Sequence, residues 1–191
     1  MVQLPVSYSN CPHLPAHPAD PEWDGLSRRL WIQVDCKGVA DVCNGAAVLK
    51  APHLEAIFRR IVQRLFDISM SGWRPKRDID PIRIWSPREF NTPAHHLVNA
   101  AMDTGTDWSW INQGVLRAAK VGTVRLCVDG GLRKKHHGER RGGLGCAAFL
   151  RFPNGSYEPF FLAGTVMHGA TSAFHTEASA LEWALTHCPV F

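Results

Sequence analysis

Several features that narrow a protein's class at a glance are missing here. The six cysteines (Cys11, Cys36, Cys43, Cys127, Cys146 and Cys188) contain no CxxC pair. Neither a zinc finger nor a tight disulfide framework is read from them, and free thiols in a reducing, intracellular compartment are expected. No apolar run approaches the length of a membrane span, which excludes the helical membrane class. Residues 1–28 have no basic n-region and are broken by Pro5, Pro12, Pro15 and Pro18, so they read as an irregular leader rather than a signal peptide. No internal repeat is found. A large charge excess is lacking too: the formal net charge is only +4, too mild to indicate a nucleic-acid partner by composition alone.

What is present suits one globular domain. The 191 residues are 45% hydrophobic, enough for a sizeable core, and a single domain over 29–191 is expected. The charge is concentrated. Segment 130–143 holds Arg133, Lys134, Lys135, Arg140 and Arg141 against the single acid Glu139, a surplus equal to the +4 of the entire chain. That is the pattern of a local polyanion contact, and also of an ordinary solvated loop.

Periodicity gives an element order of β-α-α-β-α, a connector, then β-β-β-α. Arg29–Asp35 reads as a buried strand tipped by a carboxylate, and Lys37–Asn44 as a short helix closed by Gly45. Pro52–Met70 is the clearest helix, with Leu54, Ile57, Phe58, Ile61, Leu65 and Ile68 on one face. Ser71–Arg77 reads as a basic turn with Trp73 exposed, Pro81–Trp85 as a second buried strand, and Asn91–Met102 as a helix with Pro93 in its first turn. Thr104–Gly122 is read as a connector. Strands follow at Val124–Asp129, Gly145–Phe152 and Tyr157–Val166, the last two joined by the Pro153-Asn154-Gly155 turn. Ser172–His187 closes the pattern as a helix. Trp85 and Trp183 fall within element patterns and are expected in the core. Such an order implies a mixed sheet covered by helices.

Two strands end in aspartate, at Asp35 and Asp129, and the last helix carries Glu177. Acids converging in a partly buried cleft repel, and a divalent cation resolves the conflict; hard oxygen ligands favour Mg²⁺ or Mn²⁺. Two such ions roughly 4 Å apart activate a water and stabilise the leaving oxygen in phosphodiester hydrolysis. Each acid also has an ordinary reading when taken singly: Asp129 before Gly130-Gly131 as a turn residue, Asp35 as a helix cap, Glu177 as a solvated helix position. The adjacent pairs His95-His96 and His136-His137 rarely present both rings to one ion, so a structural zinc site is not expected.

The words around these acids resemble ribonuclease H type 1, particularly its retroelement versions. Val124-Arg-Leu-Cys-Val-Asp129-Gly-Gly, Gly143-Leu-Gly145-Cys-Ala-Ala-Phe-Leu and the helix Thr171–Leu185 look like the first half of that fold: three antiparallel strands and a helix. Leu30-Trp-Ile-Gln-Val-Asp35 looks like its fourth strand, and Ile82–Asp103, with Pro87-Arg88 and Asn91, like its last strand and helix. The resemblance covers roughly 29–103 and 123–188. It implies an α/β, ribonuclease H-like fold, with a mixed five-stranded sheet of three antiparallel and two parallel strands flanked by helices. The halves stand in permuted order: 29–103 is the usual second half, 104–122 the connector and 123–191 the usual first half.

By the same resemblance Asp129, Glu177 and Asp35 are catalytic and hold Mg²⁺ (or Mn²⁺). His95 stands where the family has a fourth acid. It brings no negative charge, and Asp103 is too far along the helix to stand in. The implied activity is sequence-tolerant, metal-dependent cutting of the RNA strand of an RNA–DNA hybrid, weakened at the fourth position. The alternatives are a non-catalytic nucleic-acid-binding domain and a retroelement-derived piece. Arg133, Lys134, Lys135, Arg140 and Arg141 are expected to grip phosphates, with Arg74, Lys76 and Arg77 as a second clamp and Asn91 near the cleft. No membrane and no obligate protein partner are expected.

Overall fold

The computed structural model describes residues 28–75, 83–120, 122–134 and 140–191. The leader up to residue 27, Lys76, Arg77, Lys135, His136 and His137 lie outside them.

Among the described residues one mixed sheet forms. Its strands are β1 (Arg29–Val34), β2 (Arg74–Pro75), β3 (Arg83–Trp85), β4 (Trp108–Ile111), β5 (Thr123–Lys134), β6 (Arg140–Arg151) and β7 (Tyr157–Met167). The order across the sheet is β2-β1-β5-β6-β7-β4, with β3 also pairing β1. β5, β6 and β7 are antiparallel. β1 runs parallel to β5 from Arg29↔Thr123 to Val34↔Val128, and β2 and β3 run parallel to β1. The three antiparallel and two parallel strands expected from the sequence are therefore present, and both stretches of the chain share one sheet.

Among the described residues five α-helices accompany it: α1 (Lys37–Cys43), α2 (Glu55–Met70), α3 (Thr92–Thr104), α4 (Gln113–Ala119) and α5 (Ala173–His187). Side chains alternate faces along a strand, and the glycines show which helix covers each face. A Cβ on Gly130 would meet the backbone of Thr176 in α5, whereas one on Gly131 would meet Val98 in α3. The α5 face carries the larger core, built from residues such as Leu30, Ile32, Val128, Phe160, Leu181 and, in α2, Phe58 and Ile61. The α3 face is thinner, with Ala94, Leu97, Cys127, Ala147, Phe149 and Leu162.

α3 can lie that close because the strands beneath it are glycine-paved. A Cβ at Gly143 would come within 2.7 Å of Met102, at Gly145 within 2.6 Å of the Ala94 carbonyl, and at Gly164 within 2.9 Å of the Leu97 carbonyl. Van der Waals contact needs more room than that, so only glycine permits this approach.

Four expectations are corrected. The connector 104–122 is not structureless: Trp108–Ile111 adds a strand on β7, and Asn112 caps α4 by accepting from the amides of Gly114 and Val115. Alternating exposure along β4 marks a half-buried edge strand, a signal too short to stand out in the sequence. The basic segment is not a free loop throughout, because β5 and β6 extend into it as far as Lys134↔Arg140. Trp73 is buried at 3% exposure, its ring edge-on to Phe191 at 5.7 Å. Trp85, expected in the core, is 44% exposed and donates from Nε1 to the Asp35 carbonyl at 2.9 Å. Trp183 is half-buried and packs against the larger core, near its expected place.

Candidate metal centre

The register that pairs Val34 with Val128 brings the next residue of each strand, Asp35 and Asp129, to the same end of the sheet. Beyond that pair β1 has ended, and no other strand flanks that edge of β5 among the described residues. α5 fills the gap from the other face. Gly130 has no side chain to hold the helix off, and its amide donates to Glu177 Oε2 at 3.1 Å. One carboxylate oxygen from each of Asp35, Asp129 and Glu177 then lies within 4.8 Å of the others.

Two of the acids have a compensating neighbour. Arg88 Nε donates to Asp35 Oδ2 at 3.0 Å, and the Asp35 side chain is only 5% exposed. His95 Nδ1 lies 2.9 Å from Asp129 Oδ2, with the Asp129 side chain at 3% exposure. Glu177 receives a single backbone amide. At such separations two like charges repel by about 3–4 kcal/mol at the effective dielectric of a half-buried site. Burial first, then Asp129 and Asp35, push the Glu177 carboxyl up to about 9. Burial, then Asp35, also raises Asp129, against the opposing His95 hydrogen bond.

A chain of donors settles the imidazole. Arg133 donates from NH2 to Asn99 Oδ1 at 2.6 Å and also holds Asp103. Arginine has no acceptor, so the Asn99 oxygen faces it and the Asn99 amide nitrogen faces His95 Nε2, 3.1 Å away. Nε2 therefore accepts. Nδ1 then carries the proton and donates a hydrogen bond to Asp129 Oδ2. His95 at the fourth acidic position is thus a hydrogen-bond donor to a pocket acid.

The donor set fits a hard divalent cation: three carboxylates within reach of one point, and no sulfur or imidazole nitrogen among them. Asp35 Oδ1 is buried with no N–H donor near it. It has no hydrogen-bond partner among the described residues. A proton or a cation is needed there, and a cation serves all three oxygens at once.

The other predicted contacts fall differently. Asn91 is fully buried and donates to the Val128 carbonyl at 2.7 Å, which ties the start of α3 to β5 beside Asp129. Arg133 faces Asp103 and Asn99, Arg141 donates to the Met102 carbonyl, and Arg140 to the Thr171 carbonyl. Lys134 and Arg74 are exposed. Two residues at the site carried no role in the sequence reading. Arg88 stands there only within the Pro87-Arg88 word, and Asn99 has its partner Arg133 on β5, so nothing local marks it.

Compared with protein-family models, with curated proteins and with solved structures, the chain matches none of them. No helix among the described residues is long and apolar enough to cross a membrane.

Proposed function

We propose that this chain is a divalent-metal-dependent nuclease with a ribonuclease H-like fold in permuted order, acting on the RNA strand of an RNA–DNA hybrid. One observation carries the reading: Asp35, Asp129 and Glu177, distant in sequence, converge on one half-buried point. The sheet order supports it. Read from β5, the elements run as three antiparallel strands, a helix, then parallel strands and a last helix over the acids, the sequence of parts that the resemblance implies. Permutation is tolerable because domain ends tend to lie close together at the surface.

Asp35, Asp129 and Glu177 would hold the cation, Mg²⁺ or Mn²⁺. Bound there, it supplies activation of a water and stabilisation of the leaving oxygen in phosphodiester hydrolysis. His95 holds one oxygen of Asp129, and Gly130 N–H holds one oxygen of Glu177. The other oxygens are left for the cation. The substrate class comes from the resemblance, which implies recognition of hybrid shape and 2′-hydroxyls.

The test is cleavage of a labelled RNA–DNA hybrid by purified monomer with Mg²⁺ and with Mn²⁺, beside single-stranded RNA and duplex DNA. Metal-dependent cleavage of the hybrid's RNA strand is expected, with loss of at least about a hundredfold in D129N and E177Q. No cleavage with either metal removes the enzyme reading. The His95–Asp129 hydrogen bond favours a second reading, a domain that binds hybrid without cutting it, since the fourth position adds no negative charge. H95D separates the two: a gain of cleavage marks a weakened enzyme, and salt-sensitive binding without turnover in both forms marks a binding domain.

A further inference from the structure

Among the described residues one arginine, Arg88, pairs with an acid of the pocket. Arg88 opens the 3₁₀ turn Arg88–Phe90 between β3 and α3. Its Nε holds Asp35 Oδ2, and the other acids that its charge faces are Asp129 and Glu177. The two ends of this ion pair differ sharply, the arginine side chain being 67% exposed and the carboxylate 5%. Among the described residues its guanidinium makes no second hydrogen bond, so the remaining donors of a five-donor fork are unspent.

The backbone that carries Arg88 is fixed from below. Gln33 donates to Ser86 Oγ at 2.6 Å, buried Arg125 donates from NH2 to the Phe90 carbonyl at 3.1 Å, and Asn91 is tied to Val128. The turn is held, while the arginine side chain itself is largely exposed. Compensating the buried Asp35 carboxylate accounts for one donor of the guanidinium and leaves the others without a role.

Charge supplies one. A divalent cation on Asp35 would sit beside the arginine, and the two positive charges would repel. An anion lying against both removes the repulsion, and the planar fork matches two oxygens of a phosphodiester.

We propose that Arg88 is a phosphate-binding catalytic residue that rests on Asp35 while the pocket lacks its cation, and takes a substrate phosphodiester when the cation is present. This rests on the metal-centre reading above.

The experiment compares the wild-type chain with R88M and R88K in two titrations. The first uses Mn²⁺ alone. R88M is expected to bind it about tenfold tighter, because a competing positive charge is gone. The second uses an RNA–DNA hybrid in Ca²⁺, at several salt concentrations. R88M is expected to bind at least about tenfold more weakly, with a salt slope lower by about one. R88K, which keeps a charge but loses the fork, is expected between wild type and R88M in both. Misfolding would weaken both titrations, so the opposite signs are diagnostic. Unchanged or weaker Mn²⁺ binding in R88M, or unchanged hybrid binding, overturns the proposal. If the wild-type chain binds no Mn²⁺, the metal-centre reading and this proposal fall together. If it binds Mn²⁺ but cuts nothing, only the nuclease reading falls, and the R88M comparison still decides.

Discussion

Burial and two acidic neighbours hold a proton on Glu177 up to about 9, against an ordinary value of 4.5. Between those values the folded chain keeps a proton that the unfolded chain has released. The contribution of Glu177 to the stability of the metal-free protein is therefore fully present below the ordinary carboxylate range and is lost as pH rises through that window. Thermal melts across that range check the sign. E177Q, a mimic of the protonated acid, should flatten the slope and raise the melting temperature at pH 8 by a few degrees, about 2–4 °C for each kcal/mol. A cation must displace the same proton. Mn²⁺ affinity should rise with pH, by up to about tenfold per unit, with about one proton released per cation. Calorimetry in two buffers of different ionisation heat measures that release, and none at neutral pH would contradict the assignment. His95 has its own readout. Its imidazole nitrogens should report the Nδ1–H tautomer in a long-range ¹H–¹⁵N spectrum of the metal-free chain, and the Nε2–H form would break the donor chain from Arg133.

At the scale of elements, α3 and α5 reach the acids through missing side chains. G145A would place a methyl 2.6 Å from the Ala94 carbonyl and 2.9 Å from the Val98 amide, backbone atoms that move only with the helix. Overpacking of that kind typically costs about 1–3 kcal/mol, and the upper end is expected here. G130A is harsher, meeting the Thr176 carbonyl carbon and oxygen at 2.3 Å. It should push α5 away and carry Glu177 off the pocket, so Mn²⁺ affinity falls together with stability. G114A, whose methyl would be 3.4 Å from Asn112 Oδ1, is the control and should shift the denaturation midpoint little. Equal destabilisation by all three would contradict the glycine-floor account.

Across the whole molecule, the β1–β5 ladder joins the two stretches of the chain. Ile32 and Leu126 pair on it, both fully buried in the larger core. L126A should cost about 2–5 kcal/mol and lower one shared transition. Coincident circular-dichroism and tryptophan-fluorescence curves check this, and two separated transitions would mean that the stretches fold apart.

How much was legible follows from range. Strand and helix identities came through wherever a local period was long, as in α2, β1, β7 and α5. The three acids came through because two of them end strands and the third sits in a helix that the family words single out. β4 was missed because four residues carry too little period. Trp73 was misplaced because a basic neighbourhood reads as surface, while Phe191, the ring it packs on, comes from the far end of the chain.

The amino-acid order by itself determined the parts: which segments are strands and helices, where glycine allows close approach, and which acids are available. Only the tertiary structure decided that Asp35 and Asp129 stand on adjacent parallel strands, that Glu177 reaches them past Gly130, and that Arg88 and His95 each hold one acid of the pocket. The physical reason is that periodicity is a property of neighbours in sequence, whereas charge repulsion, burial and hydrogen bonding depend on distance in space.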